Sequence, residues 1–210
     1  MSQEATAAPK PEPDLPEEER LRAELYGLLS RLLSGPPGAE DLSRLAALSG
    51  DNSELGDGIS ALSRVANITS PEAATREYNA LFIGLGRGEL LPYGSYYLTG
   101  FLNEKPLAHL RDHMAKLGIV RSKDVKEPED HIATLCEMMA GLITGAYGHT
   151  LSVSDQEAFF NTHLAVWAEH FFTDLEGADG SLFYAPVGKI GRAFMNIEIE
   201  AFRMETQAKT

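Results

Sequence analysis

The run Glu127-Pro128-Glu129-Asp130-His131, with the stripe Ile132, Leu135, Cys136, Met139, Ile143 and Ala146 behind it, decides how this chain is read. The apolar positions recur at helical spacing and belong to a helix in a core. Pro128 fixes its own φ and pushes Glu127 away from helical values, which predicts a helix beginning at Pro128. Glu129 and Asp130 then fall in the first turn, where carboxylates oppose the positive end of the helix dipole. Two acids and an imidazole thus stand at the mouth of a buried helix. Capping by itself explains such acids, with His131 as a surface neighbour, so any further role has to come from the rest of the chain.

Outward from this stretch, every long periodic segment reads as helix. Toward the N-terminus, residues 1–16 are rich in Ala, Pro and Glu and read as a disordered tail. A helix over about 16–33 carries Leu21, Leu25, Leu28, Leu29 and Leu32 and stops at Gly35-Pro36-Pro37. Shorter helices are predicted at about 39–49 and 53–67, and Ser70-Pro71-Glu72 is a strong start signal for another, which breaks at Gly84-Leu85-Gly86. From Gly84 to about Asn103 the chain looks irregular, because Tyr93, Tyr96 and Tyr97 beside Pro92 and Gly94 do not suit a helix. Helix resumes at about Pro106 and ends at Gly118. The polar, mixed-charge segment 119–127 reads as a hinge between an N-terminal lobe, 17–118, and a C-terminal lobe, 128–210. In that second lobe the helix from Pro128 ends near Gly145–Gly148. Ser154-Asp155-Gln156-Glu157 is a capping box for one helix carrying Phe159 through Leu175, and a last helix spans about 183–202. No β-alternation and no repeat is present, so the fold class is all-α.

Composition narrows the function. With 210 residues the chain can bury a real core, and its hydrophobic content of 43% and charged content of 23% are those of a soluble globular protein. No apolar run approaches the ~20 residues of a membrane span, which argues against stable membrane insertion, and the first residues show no export signal. One cysteine, Cys136, allows no disulfide within the chain, which fits a cytoplasmic location. The net charge of −13 argues against nucleic acid and favours, if any, a basic partner.

The chemistry of a cofactor enzyme is missing. His109 and His113 stand four apart but lack the neighbouring Glu of a zinc protease, and they read as a solvent-facing pair. No histidine follows a Glu by three, so a di-iron bundle site is not formed, and no metal site is expected. There is no phosphate loop, and Gly94-Ser95-Tyr96 is not a nucleophile elbow. Glu127, Asp130 and His131 leave open a metal- or nucleotide-dependent hydrolase, and the helices leave open a self-associating scaffold.

Three runs together carry a resemblance: Glu77-Tyr78-Asn79-Ala80-Leu81-Phe82-Ile83-Gly84, Leu91-Pro92-Tyr93-Gly94-Ser95-Tyr96-Tyr97-Leu98, and Glu127-Pro128-Glu129-Asp130-His131. In this order and spacing the sequence resembles the TorD, DmsD and NarJ family of cytoplasmic chaperones for molybdenum-cofactor oxidoreductases, over about residues 17–205. The resemblance implies a two-lobed helical fold and a non-enzymatic protein without a cofactor. Its implied partner is the apo catalytic subunit, held by its N-terminal leader, often of the twin-arginine type. It assigns leader recognition to Leu81, Phe82, Pro92, Tyr93, Ser95, Asp130 and His131, with Glu127 and Pro128 completing the hinge motif. Tyr96 joins them as part of an aromatic wall, and Asp130 with His131 is expected at the basic end of the groove. Tyr93 stands where some members have Trp. Guanine nucleotide has been proposed as a ligand in this family, but no phosphate motif supports it here. The chain is expected as a monomer or a domain-swapped dimer exchanged through the hinge.

Overall fold

In the computed structural model, which describes residues 15–84, 88–121, 127–148 and 150–208, helix α7 forms over Ile132–Thr144, four residues later than Pro128 would start it. Glu129 and Asp130 are diverted to other partners and sit in a turn, so His131 becomes the N-cap, its Nδ1 accepting the Ala133 N–H at 3.1 Å. Gly145 ends the helix in a left-handed conformation, φ 78°. Apolar side chains face inward nearly all round α7, which marks it as the buried centre of the fold.

Around it the helices follow in chain order: α1 Glu17–Ser34, α2 Ala39–Ala46, α3 Glu54–Ala66 and α4 Pro71–Tyr78. After a π-helical turn at Asn79–Ile83 come α5 Gly94–Thr99, α6 Lys105–Lys116 and then α7, α8 Val153–His163, α9 Ala168–Gly177 and α10 Tyr184–Ala208. Among the described residues there is no strand; Tyr93 and His131 meet in a single antiparallel bridge. Helix α1 lies along α7, and α10 lies along α9 and α3, so one apolar core runs through the molecule. The division expected at 119–127 separates α1 from α7 and α3 from α10 in sequence, yet each pair is packed together. Of that expected hinge, residues 122–126 lie outside the described residues, as does the expected tail through residue 14.

Four further expectations are corrected. The tyrosine segment is helical over Gly94–Thr99, because tertiary contacts satisfy its start: the Gly94 N–H donates to the Asp130 carbonyl at 2.9 Å and the Ser95 N–H to Asp130 Oδ2 at 2.7 Å. The helix expected to run unbroken through Leu175 is two. Trp167 caps α9 with φ −155°, and its indole N–H takes the His163 carbonyl at 2.7 Å, which turns the chain between them. The first of the two starts earlier than the capping box suggests, at Val153, with Ser152 Oγ accepting the Asp155 N–H. Finally, only His109 of the histidine pair is exposed; His113 Nδ1 meets Nε2 of the buried His163 at 2.9 Å.

Two polar devices lock distant helices. Glu198 of α10, 1% exposed, receives Arg22 of α1 through both carboxylate oxygens, at 2.8 and 2.7 Å, and the Tyr26 hydroxyl at 2.9 Å. Glu77, at the end of α4, accepts the backbone N–H groups of Leu182, Phe183 and Tyr184 at 2.8–3.0 Å and so caps α10.

Candidate functional site

A groove of about 690 Å³ opens where α1 ends, α7 begins and the π-helical turn passes. Each wall follows from local sequence. Gly35-Pro36 stops α1 and puts Ser34 to Pro36 on one rim. The π-helical turn at Asn79–Ile83 aims Phe82 and Ile83 into the opening, and such single turns recur at functional sites. Gly88 keeps this turn in place by close approach: a Cβ there would lie 2.5 Å from the Phe82 carbonyl carbon. The bridge to His131 brings Pro92 and Tyr93 alongside, and the first two turns of α7 supply Thr134 and Glu137.

Of the residues expected at a leader site, Phe82, Pro92, Tyr93, Glu127 and His131 line this groove. The others do not. Leu81 is a core residue at 1% exposure, and Ser95 is fully buried. Asp130 is 3% exposed and faces away, into a separate pocket of about 120 Å³ with His163 and Trp167. Asp130 and His131 therefore line different pockets and do not form one subsite. Tyr96 packs edge-on to Tyr97 and lines neither pocket; Pro128 accepts the His131 N–H with its carbonyl. Tyr78, Ile83, Thr134 and Glu137 are groove residues that the motifs did not supply. A polar pair three apart on an otherwise apolar helix was the available signal for Thr134 and Glu137.

The lining of the groove combines apolar side chains with the carboxylates of Glu127 and Glu137. Tyr93 stacks edge-on against His131, ring centroids 5.1 Å apart, and its hydroxyl donates to Glu127. Burial first, then this carboxylate, pushes the Tyr93 hydroxyl far above its ordinary range, so it stays a donor. Burial pushes His131 down to about 4, outweighing the opposing charges of Glu127 and Asp130, so its ring is neutral at pH 7. Burial alone would raise Glu129, but hydrogen bonding and charge from Arg111, at 2.7 Å, hold it below the usual carboxylate range. Among the described residues no group of three or more His, Cys, Asp or Glu is placed to hold a metal ion, and no helix is long and apolar enough to cross a membrane.

This architecture belongs to a known class. It is similar to the crystal structure of a redox enzyme maturation protein from Archaeoglobus fulgidus, with a TM-score of 0.54 at 22% identity over 84% of this chain and 94% of that one. Sequence then gives the particular family: the chain belongs to the nitrate reductase delta subunit family, which takes in the TorD-type chaperones, and its family model matches residues 49–173. The TorD chaperone of Vibrio atlanticus is 30% identical over 85% of this chain and 93% of its own. A Tat proofreading chaperone, DmsD, of Haemophilus influenzae is 32% identical over 52% of each chain. The family is one of chaperones, not of hydrolases.

Proposed function

We propose that this protein is a maturation chaperone for a molybdenum-cofactor oxidoreductase and holds the N-terminal leader of that enzyme in the groove beside α7. The name of one relative includes Tat proofreading, which supports a leader of the twin-arginine type. The observation that carries the reading is the groove itself, whose lining combines Phe82, Ile83 and Pro92 with Glu127 and Glu137. A leader of this type is basic at its start and apolar after it, which is the complement of that lining. Burying three or four large side chains contributes ~1.5–3 kcal/mol each. Ordering a flexible peptide takes back ~2–5 kcal/mol. At the middle of these ranges about 4 kcal/mol remains, a Kd on the order of millimolar from apolar burial alone, so contacts to the acidic residues have to supply the rest of a useful affinity.

Calorimetry with a synthetic twin-arginine leader tests this. Ile83 is 58% exposed, so Ile83→Ser leaves the fold intact. It should weaken binding about tenfold, the worth of one buried aliphatic side chain. Tyr93→Ala should do at least as much. A leader bound equally well by wild type and both variants would place the site elsewhere.

A further inference from the structure

The groove continues past the residues that the motifs supply. Beyond Thr134 it meets a second pocket of about 170 Å³, with Met114, Ile119, Met138 and Tyr147 on its apolar side. Glu127, Thr134 and Glu137 line both, so they form a saddle between two wells that each have an apolar part; the smaller is also lined by Arg121 and Glu129, which pair with each other at 3.7 Å. Glu137 stands on that saddle exposed, with no hydrogen bond or ion pair to any described residue. Its acidic neighbours are already engaged: Glu129 by Arg111 at 2.7 Å and Arg121 at 3.7 Å, and Glu127 by the Tyr93 hydroxyl. A carboxylate between two partly apolar wells complements a basic side chain that has large apolar ones on either side.

A second observation, independent of charge, points to a peptide main chain. His131 is 8% exposed and lines the larger well. Because Nδ1 accepts the Ala133 N–H, the proton of the neutral ring is on Nε2. That N–H has no acceptor among the described residues. A neutral donor in a groove suits a carbonyl oxygen and has nothing to offer a cation.

We propose that the two wells are one peptide groove and that Glu137 is its specificity residue, taking an arginine or lysine of an extended segment whose flanking apolar side chains fill the wells, while His131 Nε2–H donates to a carbonyl of the same segment. The proposal rests on the leader-binding reading and narrows it to an apolar–basic–apolar pattern.

Fluorescence anisotropy decides it, with a labelled synthetic peptide in which two adjacent arginines are flanked by leucine and phenylalanine, and a second peptide with citrulline in place of both arginines. Glu137 is exposed, so Glu137→Gln and Glu137→Lys keep the fold, which matching circular-dichroism melts verify. The arginine peptide should lose about threefold in affinity with Glu137→Gln, the scale of one exposed ion pair, and about tenfold with Glu137→Lys. The citrulline peptide should bind all three proteins alike. If both peptides are weakened equally, or if neither variant weakens the arginine peptide while Ile83→Ser does, the groove stands and the role of Glu137 is overturned. If wild type binds neither peptide, the leader-binding reading falls and this one with it.

Discussion

At the scale of single residues, the carboxylates of the three sequence runs divide between holding the fold and facing the groove. Glu77 opens one of those runs, yet its two oxygens are spent on three backbone N–H groups at the start of α10, more than a hundred positions away in the chain. Asp130, expected in the groove, accepts the Ser95 N–H instead and so starts α5. Sequence alone shows an acid in a motif; it does not show a donor 35 or 105 positions distant, which is why Asp130 looked like a ligand or a cap of its own helix and Glu77 had no role to read. Glu77→Gln puts an amide N–H against at least one of the N–H groups it now accepts. It should lower stability by ~1–2 kcal/mol, the usual worth of a lost N-cap, without changing groove residues. Urea unfolding measures it, and an unchanged midpoint would remove Glu77 from the fold's supports. Glu137, by contrast, is exposed and lines the groove, so its substitution should leave the midpoint within ~0.5 kcal/mol of wild type.

At the scale of elements, what was legible follows from what is local. Caps and stripes predict α1, α2, α3, α4 and α6 to within a few residues, because Ser70-Pro71, Gly35-Pro36 and the leucine spacing act within one turn of chain, whereas α10 runs six residues past its expected end at 202. What was not legible was imposed from outside: α5 exists because Asp130 caps it, and α8 and α9 separate because Trp167 turns back on His163. Of the groove, its aromatic and acidic motif residues could be read, whereas Glu137 and the π-helical turn needed the packing to reveal them. The seam between α9 and α10 is a further case. Gly188 and Gly191, one turn apart, let the helices touch, since a Cβ on Gly191 would lie 2.2 Å from the Phe172 ring and one on Gly188 2.4 Å from the Glu176 nitrogen. Gly191→Ala gains a little helix propensity but must displace a buried ring, and overpacking wins: we expect a net loss of ~1–3 kcal/mol. A thermal melt reads it directly; a variant as stable as wild type would mean that the seam has slack.

At the scale of the whole molecule, one core joins elements from both ends of the chain, so heat or urea should unfold it in a single transition rather than lobe by lobe. Exchange of halves through 119–127, should light scattering reveal a dimer, would have to rebuild the α1–α7 contact between two chains. The same core fixes how stability depends on pH. Burial holds His131 and His163 down to about 4 in the folded state, with the charges of His113 and His109 adding to the effect on His163. In the unfolded chain both return to ~6.5. Between those values the unfolded state binds more protons, so stability must rise with pH. The contribution is complete above ~6.5 and is lost as pH falls toward 4, at up to about 1.4 kcal/mol per pH unit for each histidine. Carboxylates such as Glu129, held low by Arg111, add their loss only below the usual carboxylate range, so the upper part of the window belongs to the histidines. Urea titrations at pH 7, 6 and 5, followed by the fluorescence of Trp167 beside His163, should show the midpoint falling steadily in one transition. Histidine NMR signals titrating near 6.5 in the folded protein, with a flat midpoint over this range, would mean that these two rings are solvated and that α7 does not begin on a neutral imidazole.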